Sequence, residues 1–166
     1  MAALQSPASG SVYRIKDHGT LRLPIPASWV QAETEADSSG ATSQLVFWLP
    51  DSRQLPACMM IVQFLPAPEQ DRLRQLGQLA SHGLEFLKPT LADPHVALLP
   101  VPEAREGGWY FFATTQAPPV AGIPGFDRVC HAYVLAGGTV LQLELHANDF
   151  GTASKCLAIL AQGAFD

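Results

Sequence analysis

The sequence predicts an α+β fold, a mainly antiparallel β-sheet with two amphipathic helices packed on it. Three observations lead there. Short apolar runs bounded by turn residues recur along the chain, as expected of successive strands joined by tight connections. Two segments, one in the middle and one at the end, switch to a helical period. Fourteen prolines and thirteen glycines in 166 residues favour many turns over a helical bundle. This length is enough for one domain with a core of its own. Residues 1–10 read as a flexible tail and residues 11–166 as a single α+β domain.

The first two β-like runs, Val12–Lys16 and Thr20–Ile25, flank the turn residues Asp17, His18 and Gly19. Pro24 and Pro26 end the second run, because each removes a ladder donor. Trp29 follows as an apolar anchor under the sheet, and an acidic loop carries Glu33, Glu35 and Asp37. QLVFWL at 44–49 and ACMMIVQFL at 57–65 are near-continuous apolar runs, the pattern of strands covered on both faces, with turn residues Pro50, Asp51 and Ser52 between them. After PAP at 66–68 the period changes. Leu73, Leu76, Ala80, Leu84 and Leu87 share one helical face, while Glu69 and Asp71 are expected to place acid in the first turn, where the helix dipole favours it. HVALLPV and GWYFFATT read as two more strands, followed by the proline-rich link QAPPVAGIPG. Asp149 or Thr152 is placed to cap a closing helix that buries Cys156, Leu157, Leu160, Ala161 and Ala164.

Between link and closing helix lies CHAYVLAGGTVLQLELHAND, two apolar runs around a double glycine. With Gly137–Gly138 as a primed two-residue turn, Leu135 pairs with Val140 and the register follows outward. One face then collects Cys130, Ala132, Val134, Leu141, Leu143 and Leu145. The other collects His131, Tyr133, Gln142, Glu144 and His146, with His131 opposite Glu144 and His146 opposite Val129. The first set reads as core. The second reads as a hydrated face, or one partly shaded by a helix.

Imidazole and carboxylate suit zinc, so His131, Glu144 and His146 form one candidate constellation for a small hydrolase or metalloenzyme. No fourth ligand is evident, and a hydrated face with one charge–histidine pair accounts for the same residues, so neither a metal nor a cofactor is expected. Asp17–His18 and Asp93–Pro94–His95 put a carboxylate near an imidazole, an adjacency common in turns. The chain has no G-x-S-x-G elbow and no glycine-rich phosphate loop, and no catalytic residue is assigned. Cys58, Cys130 and Cys156 are scattered, form no C-x-x-C pair and sit in apolar surroundings, as small buried hydrophobes do.

Composition narrows the partners. Ten Lys and Arg against fifteen Asp and Glu give a net charge of −5, with no basic stripe for nucleic acid or an anionic membrane surface. No apolar run approaches the roughly 20 residues that span a bilayer. The expected compartment is the cytoplasm, or the periplasm if a leader has been removed. Trp109, Tyr110, Phe111 and Phe112 run consecutively, so two point to each sheet face. They are the candidate protein-binding residues, set against the plainer reading that a helix of the same domain covers them.

The stretch GTLRLPIPASW resembles the "strand, Leu-x-x-Pro, x-x-Trp" opening of PsbP-like α/β/α sandwich proteins, the DcrB-like bacterial branch included. A helix after two apolar strands fits the same layout, as does a final hairpin whose second strand, LQLELHAND, runs into a terminal helix. The resemblance spans roughly residues 12–165; the proline-rich link has no counterpart in it. What it implies is a non-enzymatic protein-binding accessory role, as an adaptor or as a chaperone of secretion-system effectors, those of type VI secretion among them. An immunity protein that neutralises a cognate toxin is the close alternative. It carries no catalytic residues across.

Overall fold

The structure is a computed structural model that describes residues 11–50, 56–116 and 125–166. Alternating apolar side chains build two antiparallel sheets among these residues. The smaller sheet joins β1 (Ser11–Ile15), β2 (Gly19–Leu23) and β10 (Ala164–Phe165) in the order β1-β2-β10. Asp17 and Gly19, with φ of 65° and 90°, reverse the chain between its first two strands. The larger sheet joins β3 (Val30–Gln31), β4 (Gln44–Pro50), β5 (Pro56–Pro66), β6 (Leu99–Pro100), β7 (Gly108–Thr114), β8 (Arg128–Ala136) and β9 (Thr139–Ala147). Its order is β3-β4-β5-β9-β8-β7-β6.

The β8–β9 hairpin has the register read from the sequence: Leu135 faces Val140, His131 faces Glu144 and Val129 faces His146. Of the two turn glycines Gly137 alone has positive φ, at 61°, which fits a turn with glycine at its first central position. Cys130, Ala132, Val134, Leu141, Leu143 and Leu145 are all buried on one face, as expected. Each such leucine contributes about 2 kcal/mol relative to an exposed one.

Two helices lie on opposite faces of the larger sheet. Helix α2 (Phe150–Ala161) packs Cys156, Leu157 and Leu160 on the inner face, beside Ile15, Leu21 and Leu23 of the smaller sheet. Asp149 is its cap, accepting from the Thr152 amide at 2.7 Å. Helix α1 (Arg72–Leu87) lies on the outer face, over β7 and β8. Its Leu76 and Ala80 meet Tyr133, Leu135 and Val140, and its Leu84 meets Phe111, Ala113 and Val129.

Four expectations need correction. Glu69 and Asp71 precede α1 and leave its first turn without acid; Asp71, at φ 44°, makes no capping bond and pairs with Arg74 at 3.2 Å instead. Leu73 lies on the rim of the helical face and is 47% exposed. HVALLPV contributes only Leu99–Pro100 as strand, since the Asp93 side chain turns the chain by accepting from the His95 amide and Pro100 lacks a ladder donor. Ala164 is not helical: the chain leaves α2 at Gly163, where a Cβ would stand 2.9 Å from Leu141, and pairs with β2 as an edge strand. The 1–10 tail, the Asp51–Ser52 part of the expected turn and most of the proline-rich link lie outside the described residues.

Gly108 opens β7 against β8, and a Cβ there would stand 2.6 Å from the Tyr133 carbonyl oxygen. Gly138 has nothing within 4 Å. Gly108→Ala is therefore expected to cost about 1–3 kcal/mol through displaced backbone, and Gly138→Ala well under half of that. Urea denaturation of the two variants checks the ordering.

Candidate functional site

The outer face of the larger sheet holds the candidate residues, and α1 divides it in two. Along one row the side chains of Phe111, His131, Glu144, Ile61 and Val46 follow one another from β7 to β4. The neighbouring row runs Ala113, Val129, His146, Met59, Trp48 and Val30. Helix α1 covers the β7 and β8 end of these rows. The face expected to be wet is thus partly shaded: Tyr133 is buried and His131 half-buried, its ring stacked on Phe111 with centroids 5.3 Å apart. The converse correction falls on β4 and β5. Their apolar runs suggested cover on both faces, yet Val46, Trp48 and Ile61 are only partly buried and Val30 is 54% exposed.

Glu144 and His146 stand where the covered and open halves meet. The His146 Nε2 lies 2.9 Å from Glu144 Oε1. That hydrogen bond is the chief reason the Glu144 carboxyl is held below its usual pKa, ahead of the opposing effect of burial. An ionised carboxylate only accepts, so the hydrogen sits on Nε2. The His146 side chain is almost wholly buried, and its Nδ1 has no partner among the described residues. Burial drives His131 down to about 4, against the pull of Glu144. The three groups do not converge: among the described residues no three His, Cys, Asp or Glu form a set that could hold a metal ion.

The remaining candidates have structural settings. Asp17 belongs to a turn, and its neighbour His18 bonds through Nδ1 to the Thr139 hydroxyl at 2.8 Å. Asp93 meets the backbone of His95 rather than its ring. All three cysteines are free and buried. A hydrogen bond from Cys156 holds the Cys58 thiol low, the same contact together with burial raises Cys156, and burial alone pushes Cys130 up to about 12. The alternation of the aromatic run is as read. Phe111 and Tyr110 are buried on opposite faces; Trp109 lies against Gly77 of α1 and donates to the Leu73 carbonyl at 3.3 Å, and Phe112 packs edge-on to Phe150. Trp109 and Phe112 alone of the four keep part of their surface accessible.

Sequence reasoning missed the flank of α1. Leu79 and Phe86 are 38% and 82% exposed, and their spacing of seven puts them on one side of the helix. Gly83 faces the Tyr133 hydroxyl of β8, and Arg72 reaches the Gly137 carbonyl at the β8–β9 turn. At 100° per residue, the Leu79–Phe86 side lies beyond Gly83 and looks along the sheet toward β9 and β5. A second apolar pair outside the core stripe was the available signal.

Protonating His131 costs more in the folded chain than in the unfolded one. The unfolded state therefore binds more protons between about pH 4 and 6.5, and stability rises with pH across that window. Glu144 acts in the same direction at its acid end. Urea midpoints at pH 4.5 and 7 are expected to differ, and His131→Phe should flatten the difference.

No protein-family model and no curated protein matches the chain. Solved structures do. A protein from Bacteroides thetaiotaomicron VPI-5482 superposes with a TM-score of 0.55 at 11% identity over 88% of this chain, which spans 45% of that structure. Cyanobacterial PsbP (CyanoP) from Synechocystis sp. PCC 6803 gives a TM-score of 0.51 at 10% identity, covering 100% of this chain and 98% of its own. The Ran-binding protein Mog1p of Saccharomyces cerevisiae, at 0.47 and 12% identity over 82% of this chain and 76% of its own, overlaps too loosely to add weight. At such identities likeness speaks for the fold alone. The chain has an α+β fold of PsbP-like type.

Proposed function

We propose that this protein is a non-enzymatic, protein-binding accessory domain of the DcrB-like kind, an adaptor or secretion-effector chaperone working in the cytoplasm. It docks a segment of its partner on the open half of the outer sheet face. The observation that carries this reading is the mismatch between sequence and cover. Strands β4 and β5 are written for burial on both faces, yet the described residues leave Val46, Trp48 and Ile61 partly open, and Leu79 and Phe86 of α1 are exposed on the side of the helix away from β7. Apolar surface that no described helix covers is the kind of surface that marks an interaction site. Trp109 and Phe112 sit on other parts of the molecule, Trp109 against α1 on the outer face and Phe112 against Phe150 on the inner face. No described helix is long and apolar enough to cross a membrane, so the apolar surface is not that of a spanning helix.

The test is affinity purification from the native host with the wild type, Ile61→Asp and Phe86→Asp in parallel. A partner retained by the wild type and reduced at least tenfold in both variants, with unchanged circular dichroism, is the expected result; a buried charge in a docking face costs that much or more. Equal recovery by all three proteins, or turnover of a generic ester or phosphate substrate, would sink the reading.

A further inference from the structure

The open half of the outer face has a definite width and a definite charge. Strands lie about 4.8 Å apart, so β9, β5 and β4 present a strip roughly 10–15 Å across. A helix with its side chains is about 10–12 Å in diameter. The strip thus accepts one helix beside α1, whose Leu79 and Phe86 would flank it. Along the strip the accessible outward-facing residues include Gln44, Val46, Trp48, Ile61, Gln63, Gln142 and Glu144, while Met59 and His146 of the same rows are buried, and Glu144 is the one carboxylate among them. Its side chain is 41% exposed, and among the described residues only one of its oxygens is engaged, by His146. An apolar helix laid over this carboxylate would strip it of water without replacing the lost interactions, at a cost that a cationic side chain would offset.

We infer that the docked segment is an amphipathic helix whose apolar stripe carries one arginine or lysine, seated on Glu144. This rests on the docking face proposed above and adds the chemistry of its occupant. Leu79, Phe86, Ile61 and Val46 supply contact area, whereas Glu144 sets the register of the helix and rejects partners that are apolar throughout or acidic at that position.

The experiment uses two synthetic amphipathic peptides of about fifteen residues, long enough to become helical on docking. They are identical except for one stripe position, arginine in the first and its neutral isostere citrulline in the second. Each is titrated calorimetrically against the wild type, Glu144→Gln and Ile61→Ser. The arginine peptide is expected to bind the wild type on the order of tenfold more tightly than the citrulline peptide, as a charge-assisted hydrogen bond provides. Glu144→Gln should erase that preference, whereas Ile61→Ser should weaken both peptides and keep it. Equal binding of the two peptides to the wild type would overturn the inference and leave the docking face standing. Failure of both peptides to bind would overturn the docking face and the inference with it.

Discussion

The pairing of β8 with β9 is the constraint on which the rest of the molecule depends. Gly137 closes the hairpin in a conformation that an L side chain adopts only at a cost, and so fixes which residue meets which. A slip of one residue would turn Leu141, Leu143 and Leu145 away from α2 and bring Gln142, Glu144 and His146 into the core. With the register set, β5 adds to the free side of β9 and β7 to the free side of β8, and each face of the sheet acquires its own helix. The outer row from Phe111 to Val46 is a product of that one pairing repeated across five strands.

The hairpin was legible because two signals coincide there, strict alternation and a pair of glycines. The inner face was legible for the same reason. The outer face was not, since side-chain type does not say whether water or a helix lies above it. Tyr133 and His131 have polar tips on apolar bodies, and such residues suit either setting. What places α1 over β7 and β8 is close approach, through Gly77 against the Trp109 ring and Gly83 against Tyr133, and no periodicity announces it. The apolar runs of β4 and β5 were read as signs of cover, although residue type records only what a face is suited to touch. At the chain's end, Gly163 diverts Ala164 from helix to strand because Leu141 and Leu23 crowd it, a long-range contact that local pattern does not contain.

The polar groups of the outer face are unequal in their surroundings. His131, stacked on Phe111, has its pKa driven down to about 4 by burial, against the pull of Glu144. The Glu144 carboxyl is held below its usual pKa chiefly because His146 donates to it, and its side chain is 41% exposed. Of the two histidines, His146 alone is hydrogen-bonded to Glu144. A single fixed charge on a floor of apolar and amide side chains discriminates by position as well as by sign, whereas a wholly apolar floor tolerates sliding.

The two ends of the larger sheet are strands of only two residues, Val30–Gln31 and Leu99–Pro100. So few unpaired amides and carbonyls offer little template for another chain to join edgewise, and the proline at one end withholds a donor besides. Growth of the larger sheet from molecule to molecule through these two end strands is thereby discouraged, so the apolar side chains on its open face are not joined by a ready backbone template at the same edge.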